Sequence, residues 1–163
     1  MLNIVACARA EPTPTHGLTV PNIDADSPAC VLKVPTVNPQ CTSEGCTFFA
    51  PDGSKLNSIE LRFSCLPKSA LTGFERPAPE AKVQTLNAQN AGGNFSLRDD
   101  VYAPPNERFR NLLFCLYGKF NNFCGSSTVT SLEYRTKVKA TRTVKEFLQG
   151  VELQDPQIFD SHR

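Results

Sequence analysis

The sequence predicts an α+β fold: an antiparallel β-sheet with a short C-terminal helix packed on it, stabilised by disulfides. Three observations point there. Apolar residues recur with period 2 through most of the chain, the period turns helical only near residue 143, and seven cysteines are spread over 163 residues. Period 2 places alternate side chains on opposite faces of a strand, whereas i, i+3, i+4 spacing builds one face of a helix. The length suits one domain by the usual prior of about 100–200 residues.

Taken in order, Ala8–Ala29 carries Pro12, Pro14, Pro21 and Pro28 among polar residues. Proline fixes φ and donates no ladder hydrogen bond, so residues 1–29 read as an extended tether and residues 30–163 as the single globular domain. Val31-Leu32-Lys33-Val34 is a first strand, ended by Pro35. Cys46–Ala50 and Ser58–Cys65 flank Pro51-Asp52-Gly53 and read as an antiparallel hairpin. In its second arm Ile59, Leu61, Phe63 and Cys65 share one face and Glu60, Arg62 and Ser64 the other. From Pro67 to Pro105, proline and glycine punctuate the chain, and only Ala81–Leu86 reads as a strand. Phe109–Tyr117 is apolar on both faces and belongs near the middle of a sheet. Leu132–Arg142 alternates again, with Leu132, Tyr134, Val138 and Ala140 expected inward and Glu133, Arg135, Lys137 and Lys139 outward. Val144, Phe147, Leu148 and Val151 then recur at helical spacing, which predicts a helix over Thr143–Gln149, Gly150 as its C′ residue, and a terminal strand at Val151–Leu153.

Chemistry-bearing patterns are sparse. The two histidines are His16, in the expected tether, and His162, next to the last residue. A Gly-x-Ser-x-Gly elbow, a His-Glu-x-x-His helix, a phosphate-binding glycine loop and a dinucleotide fingerprint are all absent from the sequence. Asp99 and Asp100 are adjacent, and neighbours in an extended segment point apart, so they do not form an opposed acid/base pair. No enzymatic activity and no catalytic residue are expected. Cys41-x4-Cys46 and Cys115-x8-Cys124 are poor matches to zinc-site spacings and have no histidines to complete them, so neither a metal nor another cofactor is expected. The net charge of +1 gives no field that would favour nucleic acid as a partner. The basic row Arg135, Lys137, Lys139 and Arg142 reads first as a solvated face.

Cysteine usage fits an oxidising compartment. Setting Cys7 aside, Cys30, Cys41, Cys46, Cys65, Cys115 and Cys124 form an even set. Six cysteines permit 15 pairings, and sequence alone does not choose among them. The favoured set closes two local loops, Cys41–Cys46 and Cys115–Cys124, and joins two early strands through Cys30–Cys65; each bridge would contribute about 2–4 kcal/mol.

Ile4-Val5-Ala6-Cys7 resembles a bacterial lipoprotein lipobox. The resemblance implies a lipidated Cys7, membrane attachment through its acyl chains, and, with Ala8 following, a periplasmic domain anchored at the outer membrane. The stretch Phe-Cys-Leu-Tyr-Gly at 114–118, the Cys124-Gly125 turn and the Phe147–Glu152 ending are also similar to periplasmic immunity lipoproteins of antibacterial toxin–immunity pairs. That likeness implies a protein partner, a cognate toxin delivered by neighbouring cells, blocked by steric occlusion. The residues expected to meet it are Asp99, Asp100 and Tyr102 in an acidic loop, and Lys119, Phe120, Asn121 and Asn122 in a loop pinned by Cys115 and Cys124. The alternative is a structural lipoprotein of an envelope or secretion complex, whose partner is a component of its own cell.

Overall fold

The computed structural model describes residues 14–36, 39–49, 55–70, 80–129 and 134–155. Within them, the apolar alternation becomes β1 (Thr15–Val20), β2 (Cys30–Pro35), β3 (Gln40–Thr42), β4 (Gly45–Phe49), β5 (Lys55–Pro67), β6 (Lys82–Asn87), β7 (Gly92–Asp99), β8 (Arg110–Tyr117), β9 (Asn121–Val129) and β10 (Glu152–Gln154), with one helix, α1 (Tyr134–Gln149), before β10. A three-stranded sheet has the order β1-β2-β10 and a seven-stranded sheet the order β3-β4-β5-β9-β8-β7-β6. Every strand pair in both sheets is antiparallel. The antiparallel sheet and C-terminal helix are those the sequence predicts. The fold is more β-rich than α+β implies.

Register explains how the core closes. Ile59, Leu61, Phe63 and Cys65 of β5 are all buried, as their alternation requires, and β4 pairs with β5 as the expected hairpin. One row of the large sheet reads Phe63, Gly125, Phe114, Phe95 across β5, β9, β8 and β7. Glycine at its second place is a packing requirement: a Cβ on Gly125 would lie 2.2 Å from the Arg62 carbonyl oxygen and 2.5 Å from Phe114 Cε1. Phe63 and Phe114 meet edge-on with centroids 6.5 Å apart, and Phe123, two residues along β9 from Gly125, packs against them at 4.9 and 5.4 Å. Each such aromatic pair adds about 0.5–1.5 kcal/mol beyond its area burial.

The large sheet is strongly curled. Five inter-strand steps separate β4 from β6, or about 24 Å if flat, yet α1 reaches both flanks. Phe147 meets Phe48 of β4 edge-on at 5.6 Å, and Lys145 donates to Gln84 Oε1 of β6 at 2.9 Å. With side chains a helix is about 10–12 Å across, so the sheet must wrap around it. Ala140, Val144, Phe147 and Leu148 form the buried stripe of α1.

Three disulfides stand in the favoured pairing. Cys30–Cys65 ties β2 of the small sheet to β5 of the large one, Cys41–Cys46 crosses β3 and β4, and Cys115–Cys124 joins directly opposed residues of β8 and β9. They indicate an oxidising, extracytoplasmic environment. No helix among the described residues is long and apolar enough to cross a membrane.

Several expectations are corrected. Thr15–Val20, read as tether, is a strand with Leu18 and Val20 buried, because its own alternation matches β2 across six register pairs. Residues 22–23 also dock, with Ile23 N donating to the Cys65 carbonyl at 3.0 Å. The segment 134–142, read as a strand, begins α1: Ala140 and Val144 are four apart, a spacing that period 2 and period 3.6 share, and Arg, Lys and Ala favour the helix. Gly150 ends the helix with its N–H shared between the Phe147 carbonyl at 3.0 Å and the Glu146 carbonyl at 3.3 Å, and does not use the left-handed backbone expected of a C′ glycine. A Cβ there would sit 2.7 Å from Pro35 Cγ, so close packing on β2 is what requires it. The stretch expected to be irregular holds β7, whose small and polar residues Gly92, Gly93, Asn94 and Ser96 conceal its pattern. Met1–Thr13 with Cys7, the Pro51-Asp52-Gly53 turn, Leu132 and Glu133, and His162 lie outside the described residues.

Candidate functional site

The expected contact residues fall at opposite ends of β8. Its eight residues span about 25 Å at strand rise, with the β7–β8 loop at one end and the β8–β9 turn at the other.

At the first end, Asp99 closes β7 directly across from Arg110, which opens β8. The two form a bidentate pair, Arg110 Nε to Asp99 Oδ1 at 2.5 Å and Nη2 to Oδ2 at 2.9 Å. Lys137 Nζ stands 3.9 Å from the same carboxylate. Arg110 Nη1 also donates to Thr141 Oγ1 at 3.1 Å, so the base of the loop is bolted to α1. The Arg110 hydrogen bond, helped by the charges of Arg110, Lys137 and Lys82 and opposed by burial, holds the Asp99 carboxyl below its ordinary range. Asp99 is therefore a clamp, its carboxylate engaged by Arg110 and Lys137 at the base of the loop.

Beyond the clamp the loop is built around Asp100. Its backbone N–H donates to the Phe109 carbonyl at 2.8 Å, and its Oδ1 accepts from the backbone N–H of Tyr102 at 3.0 Å and of Ala103 at 3.4 Å. An Asx turn of this kind lets a carboxylate stand in for a backbone acceptor. Arg108 Nε donates to the Ala103 carbonyl at 3.0 Å, and Glu107 N to the Pro104 carbonyl at 2.8 Å. On this frame Tyr102 is 95% exposed and Val101 52%. A cleft of about 410 Å³ lies beside them, lined by Glu80, Arg98, Asp100, Tyr102, Phe109 and Asn111 among others.

The other end is a tighter structure than the sequence implied. β9 starts at Asn121, so the loop pinned by Cys115 and Cys124 shrinks to the turn Gly118-Lys119-Phe120. Lys119 pairs with Asp155 at 3.9 Å and lies 4.8 Å from the Phe120 ring centroid, and Phe120 is 39% exposed. Asn121 is buried and structural: its Nδ2 donates to the Pro28 carbonyl at 2.7 Å and its Oδ1 accepts from Asn22 at 3.3 Å. Asn122 is buried too, and its Oδ1 meets no donor among the described residues. Neither amide is presented to solvent. The cleft beside this turn holds about 230 Å³, below the about 300–1,000 Å³ of small-molecule sites.

Sequence reasoning named Asp99, Asp100 and Tyr102 but missed Arg110 and Arg108. The signal was available in Asp100, two residues before Tyr102, with Pro104-Pro105 following, which is Asx-turn chemistry. His16 lies half-buried within β1. Among the described residues no three His, Cys, Asp or Glu side chains converge as a metal site. A scan against protein-family models finds no match to the chain, and neither does a search of curated proteins.

Proposed function

We propose that this protein acts by binding another protein outside the cytoplasm, with the 100–109 loop as its recognition element. The observation that carries the reading is Tyr102, fully presented on a loop whose backbone is held by Asp100 and whose base is locked by the Asp99–Arg110 pair. An exposed aromatic on a preorganised frame adds contact area at little ordering cost, which is how binding loops concentrate affinity. The finer form of the proposal keeps the lipobox resemblance: Cys7 anchors the domain to the outer membrane on its periplasmic side, and the loop occludes the active site of an imported toxin. Phe120 and Lys119, about 25 Å away along β8, belong to a different surface and make no part of that contact.

The test is paired capture from culture medium and isolated envelopes, using wild-type domain and Tyr102→Ala, with mass spectrometry of what each retains. A secreted hydrolase held by wild type, inhibited by it, and released at least 30-fold faster by Tyr102→Ala supports the proposal. Retention of a resident envelope complex replaces the toxin with a structural partner. Equal retention by both proteins removes the loop from recognition. Cys7→Ser should release the protein from membranes, and unchanged membrane association would dismiss the anchor.

A further inference from the structure

The two sheets have four edges, and three are blunted. β3 and β10 are three residues long, and β1 is bounded by Pro14 and Pro21. Short strands and flanking prolines are the usual defences against edge-to-edge pairing. The fourth edge, β6, has neither. It runs six residues in unbroken register from Lys82↔Leu97 to Asn87↔Gly92, with no bulge and no proline. All but Leu86 are exposed, Val83 at 45%, and among the described residues no strand pairs on its outer side.

From this we propose that β6 receives an extended acidic segment of the partner as an added antiparallel strand. Charge selects the occupant. Lys82 lies on the edge itself, Lys145 reaches it through Gln84, and Arg142 shares a groove with Lys145 on the same side of α1. Glu146 is the acidic residue lining that groove. A second copy paired about a two-fold axis near Gln84 and Thr85 would bring the two Lys145 side chains together, so self-pairing is disfavoured. An acidic strand instead meets cations along one side while its backbone completes the ladder. The edge is also continuous with the proposed recognition loop: β6 begins at Lys82, just after Glu80, which lines the Tyr102 cleft. The inference rests on reading the protein as a binding module, and it adds the mode of engagement.

The test uses the full chain and a fluorescein-labelled twelve-residue peptide alternating Glu and Val, followed by anisotropy. Saturable binding is expected, weakened at least tenfold by alternate backbone N-methylation of the peptide and at least tenfold by Lys145→Glu. Equal binding of the N-methylated peptide would reduce the effect to plain charge attraction and overturn strand addition. Absence of saturable binding, or a doubling of mass with concentration in light scattering, would overturn it as well. Tyr102→Ala is read by capture of the whole partner and Lys145→Glu by peptide affinity, so failure of the loop and failure of the edge are read separately.

Discussion

Replacing both members of a disulfide with alanine should destabilise the domain in an order set by loop length. The bridges close sequence separations of 35 for Cys30–Cys65, 9 for Cys115–Cys124 and 5 for Cys41–Cys46. Chain-entropy scaling then assigns them about 3.8, about 2.6 and about 2.1 kcal/mol at 25 °C. The first bridge is also the one that crosses between sheets, so nothing local replaces it. Five of the six cysteines are buried and Cys41 is partly so, which keeps the packing loss similar among the three double variants. At about 3 °C per kcal/mol for a chain of this size, the melting point should fall by about 11 °C without Cys30–Cys65 and by about 6 °C without Cys41–Cys46. Urea denaturation of the double variants, fitted with a common m-value, supplies the energies. Equal losses for the longest and shortest loops, or a reversed order, would refute the entropic reasoning and point to native-state contacts as the source of the stabilisation.

Three further outcomes are expected. Asp99→Asn should cost about 1.5–3 kcal/mol at pH 6, the range for a hydrogen bond to a charged group. Because the folded pKa is depressed, that stability is present above the unfolded carboxyl value of about 3.9 and lost as pH falls through the folded pKa; urea melts from pH 6 to pH 2 should show wild type and variant converging, and a constant gap would contradict the clamp. Gly125→Ala should cost about 1–3 kcal/mol or more through overpacking against Phe114 and the Arg62 carbonyl, read from the same denaturation curves, and a neutral result would mean the aromatic row can shift. Tyr102→Ala should change stability by less than about 0.5 kcal/mol, and a larger loss would make Tyr102 a structural residue and withdraw it from recognition.

Where one face of a strand is apolar and the other polar, the sequence is readable: β5 follows from alternation, and its hairpin with β4 from that alternation together with the strand formers of Cys46–Ala50 and the Pro51-Asp52-Gly53 turn signal. β9 was not, because Asn121, Asn122, Gly125, Ser126 and Ser127 are strand residues chosen for close cross-strand packing and capping and not for hydrophobicity. Helix α1 was half legible: its last two turns show the 3.6 period, while its first two are hidden under charged residues whose spacing mimics a strand. The site divides the same way. Tyr102 and Asp100 could be named as part of an acidic loop, but Arg110 is recognisable as a clamp only once β7 and β8 bring it opposite Asp99.

The linkage between the two sheets also determines how the domain carries mechanical load. β1 lies against β2 over six register pairs, from Thr15↔Pro35 to Val20↔Cys30, so a pull along the strand from the N-terminal side shears all of them at once instead of unzipping them singly. At the far end of that overlap Cys30 is covalently joined to Cys65 in β5, and β5 in turn grips β9 over seven register pairs. Tension entering through β1 passes in series from a hydrogen-bonded lap joint to a covalent rivet and then into the widest part of the sheet.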